Sequence, residues 1–159
     1  MQTPLSPNIL RKLAPEAFHK HVFDNATIVH RVQSCILGWA TWERENAQEH
    51  ASRPVIRALV TQLQHHGLYA DLFESFYLRK THELYLAKGA KERQELGAQA
   101  QMFLLQSQEL FNRERARAQA VLPESSVDKV CLATETAFLK PQMDWVAMPG
   151  THACPNIAA

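Results

Sequence analysis

The chain has 159 residues, with 17 Lys plus Arg against 16 Asp plus Glu and a formal net charge of +1. This length is typical of one domain that buries its own core, and the balanced charge argues against a nucleic-acid binder that depends on a basic surface. The content of 46% hydrophobic and 21% charged residues is that of an ordinary globular domain and excludes a disordered acidic tail.

The cysteines and the apolar segments indicate the cellular compartment of the protein. Cys35, Cys131 and Cys154 are an odd number without a CxxC spacing, so neither a disulfide framework nor a structural zinc site is expected. The first residues lack the continuous apolar segment of a signal peptide, and no run reaches the roughly 18 apolar residues that a membrane span requires. We therefore expect a protein of the cytoplasm, the nucleus or both that binds neither membranes nor nucleic acid.

Two helices are predicted before residue 50. Proline at the first helical position predicts a helix over residues 7–22, ended by Asn25. Thr27 is expected to cap a second helix that runs to about residue 48. The Glu43 end of this helix is expected to be solvated. Apolar residues at steps of four and three predict its buried stripe, which consists of Ile28, Val32, Cys35, Trp39 and Trp42 and is widened by Val29 and Ile36.

The third and fourth predicted helices follow at once. Ser52 is expected to cap the third helix, and Gly67 is expected to end it. The fourth is expected to run toward Gly89, and the charged stretch 90–97 is either a bend or a continuation. Inward residues of the third helix are predicted to be Val55, Ile56, Leu59, Val60 and Leu63; aromatic residues of the fourth recur every four positions, at Tyr69, Phe73 and Tyr77.

The C-terminal half predicts two more long helices. The fifth is expected from about residue 96 to residue 122, where Pro123 ends it. Ser125 or Ser126 is expected to cap a sixth helix, which Pro141 kinks or ends. The inward residues of the sixth helix are predicted to be Val127, Val130, Cys131, Thr134 and Phe138.

The helical patterns define the fold class and the domain limits. One more turn is expected over residues 143–148, and residues 149–159 are predicted to be a flexible tail. No alternating strand pattern competes with the helices. The sequence therefore predicts an all-α fold, a bundle of about six helices joined by short connections, over residues 1–148.

Residue types that often carry chemistry occur here at spacings that favour structural roles. His19 and His21 are two positions apart and His65 and His66 are adjacent, so on a helix neither pair can chelate one ion. Cys35 lies on the predicted apolar stripe, where a small core residue is more common than a nucleophile. We expect no catalytic residue, no metal site and no cofactor. A short basic run is expected to be a solvated helix face: Arg113, Arg115 and Arg117.

The fourth predicted helix resembles a signature of the cullin family, in which a helix of the N-terminal repeats reads Y-x3-F-E-x2-F-L-x2-T-x2-[FL]-Y. The Glu43-Arg44 pair is similar to the E-R pair that ends an upstream helix of that family, although Glu45 replaces the glycine that usually follows. The run from Phe111 through Glu114 to Arg117 is similar to the family's L-x2-E-x2-R. The signature positions are occupied by Tyr69, Phe73, Glu74, Tyr77, Leu78, Thr81, Leu84 and Tyr85, with Tyr77 in place of a phenylalanine.

This resemblance covers about residues 5–148 and is nearest to the branch that uses the large propeller adaptor of DNA-damage recognition. Cullins are elongated, non-enzymatic scaffolds of multi-subunit ubiquitin ligases, with an N-terminal arm of stacked five-helix repeats. The resemblance implies a fragment of such a solenoid-like arm. Residues 7–22 would be the last helix of one repeat, and residues 27–148 most of the next. Residues 144–148 depart from the family pattern.

The resemblance also implies protein partners. In cullins a substrate adaptor rests partly on the last helix of the first repeat, and a distant C-terminal domain holds a RING protein. With only part of that docking surface within these residues, adaptor binding is expected to be weak. Candidate contacts are the polar positions of the first predicted helix that lie away from its apolar stripe: Asn8, Arg11, Lys12, Glu16, His19 and Lys20.

The sequence is also compatible with two other functions. The chain could be a free-standing helical regulator that binds another partner or competes with an intact cullin; an enzyme that uses the histidines ranks last. Because repeats normally stack, an isolated one should expose apolar side chains, with Phe18 and Phe23 as candidates, and could self-associate.

Overall fold

The computed structural model describes residues 19–148, and the side chains of residues 21–148. No strand occurs within this range, so the predicted all-α fold is confirmed. Of the predicted helix over residues 7–22, only the last turn lies in the described range, and the predicted tail lies outside it. The helices are α1 Ala26–Asn46, α2 Arg53–His65, α3 Ser75–Leu96, α4 Ala100–Val121, α5 Glu124–Phe138 and the short α6 Met143–Val146, with π-helical turns at His19–Phe23 and Ala70–Glu74 and a 3-10 turn at Lys140–Gln142.

The described residues divide into two compact units, with the boundary between Ser75 and Phe76. The boundary falls inside the predicted fourth helix. In the structure that stretch begins with a π-helical turn, in which the N–H of Ser75 donates to the carbonyl of Ala70, five residues back.

The sequence predicted Thr27 as the N-cap of α1, but in the structure Asn25 caps this helix. Oδ1 of Asn25 accepts hydrogen bonds from the backbone N–H groups of Thr27 at 3.0 Å and Ile28 at 3.3 Å. Asn25 is in an extended conformation, with φ −88° and ψ 106°, as a capping residue is. Ser52 precedes α2 as predicted, but its side chain makes no capping hydrogen bond.

Gly67 ends α2, as predicted. Its φ of +69° is a left-handed conformation that glycine adopts without steric cost. The N–H of Gly67 donates to the carbonyl of Gln64 at 3.0 Å, and the N–H of Leu68 donates to that of Leu63 at 2.9 Å. These two bonds define a Schellman motif, which satisfies carbonyls that the helix end would leave open.

The buried face of α1 differs from the predicted stripe. Cys35 is exposed and Trp42 is 37% exposed. The buried face is centred one position further along, at Ile36, Ala40 and Glu43, because packing against α2 and the two π-helical turns decides which side of α1 is covered. Two predictions outside α1 are also wrong. Phe23, predicted to be exposed, is buried, and its ring lies 5.9 Å from that of His66. Val55 of α2, predicted to face inward, is 68% exposed. The buried residues of α1 are Ile36 and Trp39, both on the predicted apolar face, together with Ala40 and Glu43.

Aromatic rings form the core of the second unit. Phe138 stacks on Phe103 with their centroids 5.1 Å apart, and it meets Phe111 and Tyr85 edge-on at 6.1 Å and 6.4 Å. Trp145 meets Phe103 edge-on at 5.4 Å. Offset and edge-on pairs of this kind add to the stabilisation from burial alone.

Two glycines shape α3. A Cβ built on Gly89 would lie 2.6 Å from the backbone oxygen of Phe138, so α3 and α5 approach each other more closely than any other residue would allow. The charged stretch after Gly89 continues the helix to Leu96. It ends at Gly97, which has a φ of +57°.

The ends of α5 correct one prediction and agree with another. The helix begins directly after Pro123, so Ser125 and Ser126 lie inside its first turn and do not cap it. The N–H of Ser126 donates to the carbonyl of Pro123 at 2.9 Å. At the other end, α5 stops at Phe138 and Pro141 lies in the 3-10 turn, because proline lacks the N–H that a continuing helix needs.

Candidate interaction surfaces

The predicted adaptor-binding residues fall at and before the start of the described part of the chain. Asn8, Arg11, Lys12 and Glu16 lie outside the described residues. The backbone of His19 and Lys20 belongs to the π-helical turn His19–Phe23, and their side chains lie outside the described set.

The signature residues are packing residues. Their four-residue steps put one side chain on the same helix face at every turn. In the structure Glu74, Leu78 and Leu84 are half-buried, and Leu84 packs against the core of the second unit. The buried members are Tyr69, Phe73, Tyr77, Thr81 and Tyr85.

A buried carboxylate joins α1 to α2 within the first unit. Glu43, predicted to be solvated, is 1% exposed. Its Oε1 accepts hydrogen bonds from Trp39 Nε1 at 2.7 Å, the His50 backbone N–H at 2.9 Å and Arg53 Nε at 3.1 Å. Its Oε2 accepts a further hydrogen bond from Arg53 Nη2 at 2.8 Å. The two parallel Arg53 bonds have the bidentate geometry that is the strongest form of such a pair.

These contacts keep Glu43 ionised. Burial opposes the charged form, but the hydrogen bonds from Arg53, His50 and Trp39 outweigh it and lower the pKa of Glu43 below its ordinary value. Its carboxylate in turn raises the pKa of Arg53. Arg53 is the more exposed partner, with 21% of its side chain accessible, and its Nη1 also pairs with Glu49 at 2.7 Å.

A second buried network joins, within the second unit, two of the motifs that carry the resemblance. The hydroxyl of Tyr85, the last signature residue, donates to Glu114 Oε2 at 2.5 Å, and Arg117 Nη1 donates to the same oxygen. Arg117 and Glu114 are both buried, so the prediction that Arg117 belongs to a solvated basic face is wrong. Arg113 and Arg115 are exposed as predicted, and Arg113 pairs with Glu109 at 3.4 Å.

No sequence pattern predicted the burial of Glu43, Glu114 and Arg117. The resemblance could have indicated their burial, because all three residues occupy the charged positions of the E-R and L-x2-E-x2-R motifs. In both networks the buried carboxylate is paired with an arginine and accepts a hydrogen bond from a neighbouring helix.

Cys131 is a further buried residue that could in principle carry chemistry. It lines a groove of about 280 Å³ beside Leu104 and Phe111, but burial raises the pKa of its thiol. The thiolate is the reactive form, so this shift lowers the reactive fraction of Cys131 at neutral pH.

None of the helices within residues 19–148 combines the length and hydropathy needed to cross a bilayer. Among those same residues, no three His, Cys, Asp or Glu side chains come together in a group that could hold a metal ion.

Comparison with known proteins gives one match. A family model described as the cullin alpha solenoid domain matches residues 3–154, which covers the signature helix and both charged motifs. Neither the curated proteins nor the solved structures contain a significant match to the chain. The assignment to the DNA-damage-adaptor branch stays a prediction.

Proposed function

The chain belongs to the cullin family, and on this premise we propose that it is a scaffold segment of a cullin–RING ubiquitin ligase that acts by contact with other proteins. The observation that carries the proposal is the family match over residues 3–154. The burial of the family's charged positions supports it, because Glu43 and Glu114 serve the packing of helices. We assign no chemical step to this chain. The free thiols of Cys35 and Cys131 are compatible with the reducing cytoplasm or nucleus, where we place the protein.

The partner we propose is a cullin substrate adaptor, held by the polar face of the helix predicted over residues 7–22. Arg11 is the central candidate, since arginine is enriched among the few residues that dominate the affinity of an interface. Its guanidinium can bind a carboxylate of the adaptor through two parallel hydrogen bonds.

The experiment is a titration of the purified chain against a panel of cullin adaptors, with Arg11→Glu as the test variant. Arg57→Glu is the matched control, because Arg57 is an exposed arginine of α2 and the substitution changes the net charge equally. We expect at least one adaptor to bind, with affinity reduced about tenfold or more by Arg11→Glu and unchanged by Arg57→Glu.

Failure of every adaptor to bind would refute the proposed partner. Binding that is insensitive to Arg11→Glu would refute the proposed surface. If the chain instead displaces an intact cullin from its adaptor, the free-standing competitor is the better description of its function.

A further inference from the structure

A groove of about 710 Å³ opens in the second unit, between the C-terminal half of α3 and the segment formed by the 3-10 turn and α6. The residues that α3 contributes include Ala87 and Ala90, whose small side chains leave room for a bound chain close to the helix. Trp145 and Gln142, both largely buried, contribute from the other side.

Arg93 is held at this groove by two contacts. Its Nη1 donates a hydrogen bond to Gln142 Oε1 at 3.3 Å, and its guanidinium carbon lies 5.7 Å from the centroid of the Trp145 ring. A guanidinium has five N–H donors, and the bond to Gln142 uses one of them. The remaining donors are therefore available in a fixed position.

The charge of Arg93 is not matched by an acid. Neighbouring bases on α3 pair with carboxylates, Lys88 with Glu92 at 3.8 Å and Lys91 with Glu95 at 3.7 Å. Among residues 21–148, no carboxylate lies within salt-bridge distance of Arg93. Among the described residues that line the groove none is acidic, and since Lys91 is paired with Glu95, Arg93 supplies the unmatched positive charge of the groove.

We propose that this groove binds an acidic segment of a partner protein, with a carboxylate of the segment on Arg93. The aliphatic part of the bound side chains would contact Trp145 and the small residues of α3. Planar guanidinium and carboxylate groups pair through two parallel hydrogen bonds, and the positive lining attracts a chain of negative charge. The groove shares no residue with the proposed adaptor surface, so this inference goes beyond the proposed function and does not depend on it.

The test uses the full chain and a short fluorescent peptide of alternating Glu and Ala, acetylated and amidated at its ends. A peptide with Gln at every Glu position controls for charge. Arg93→Gln is the test variant. Arg79→Gln is its matched control, because Arg79 is also an exposed arginine of α3 that lies over an aromatic ring, that of Phe76, at 5.8 Å. Thermal melts establish that both variants fold.

We expect the acidic peptide to bind, with an affinity that falls as salt is added, and the Gln peptide to bind at least about tenfold more weakly. Arg93→Gln should weaken binding about tenfold, and Arg79→Gln less than about twofold. In a two-dimensional NMR spectrum the indole N–H signal of Trp145, identified through Trp145→Phe, should shift on addition of the acidic peptide.

Four results would overturn the proposal. These are no binding at millimolar peptide, equal weakening by the two arginine variants, equal binding of the Gln peptide, and a Trp145 signal that does not move. A single-stranded RNA oligomer that binds more tightly than the peptide through Arg93 would also overturn it and identify a nucleic-acid site instead.

Discussion

Gly89→Ala should destabilise the protein, although an alanine in place of a helical glycine ordinarily stabilises it. The added Cβ would lie 2.6 Å from the backbone oxygen of Phe138 and 3.2 Å from its Cα. Ordinary contact begins at 3.4 Å, so the backbone of α5 must move about 0.8 Å. That movement disturbs the stacked pair Phe103–Phe138, and overpacking of this kind costs roughly 1–3 kcal/mol.

The opposing effect is the helix propensity of alanine, which exceeds that of glycine by about 1 kcal/mol. A backbone oxygen cannot rotate away as a side chain can, so we take the upper part of the overpacking range. The free energy of unfolding should therefore fall by about 1–2 kcal/mol. Gly38 is the matched control, since it lies in α1 and a Cβ there meets no atom within 4 Å. Gly38→Ala should raise the free energy of unfolding by about 0.5–1 kcal/mol.

Urea denaturation followed by circular dichroism measures both variants against the unchanged chain. The two substitutions should shift the midpoint in opposite directions. A stabilising Gly89→Ala, equal to Gly38→Ala, would refute the close contact between α3 and α5.

Two further predictions concern the buried residues of the first unit. Phe73→Ala should lower the free energy of unfolding by about 3–5 kcal/mol, because Phe73 is 1% exposed and its removal leaves a cavity; a loss below about 1 kcal/mol in a denaturant melt would show that the signature helix is not packed as described. The pKa of Glu43 is lower in the folded protein than in the unfolded chain. The ionised Glu43 therefore stabilises the fold at pH values above its ordinary pKa of about 4.5. This stabilisation is lost as the pH falls through the pKa that Glu43 has in the folded protein. Glu43→Gln should lower the free energy of unfolding by about 1–3 kcal/mol at neutral pH, because the buried oxygens lose charge-assisted hydrogen bonds while Arg53 keeps its pairing with Glu49. In melts at decreasing pH this deficit should shrink, and a deficit that is constant with pH would contradict the role of the ionised carboxylate.

Local patterns predicted the helices well and their buried faces unevenly. The four-residue steps of Tyr69, Phe73 and Tyr77 predicted inward residues, and all three are buried. The same kind of reasoning misplaced Cys35 and Trp42 on α1. A periodic stripe identifies residues on a common side of a helix, but the width and centre of the buried face depend on which neighbours pack against it.

Local sequence patterns also failed to predict which charged residues are buried. Glu43 looked solvated because its nearest neighbours in sequence are polar, yet its partner Arg53 lies ten residues later, beyond the end of its own helix. Glu114 is bound by Tyr85, twenty-nine positions away. Burying a charge is unfavourable unless a partner offsets the loss of hydration, so such burial cannot be read from local composition.

The sequence by itself determined the all-α class, the family and most helix limits, because these follow from backbone propensity, from glycine and proline at the helix ends, and from residues at fixed spacing. The tertiary structure alone decided that Glu43, Glu114 and Arg117 are buried, that α3 and α5 touch at Gly89, and that Arg93 lies at a groove beside Trp145. Each of these depends on the approach of residues distant in the chain, whose contacts compensate the loss of hydration or exclude a side chain.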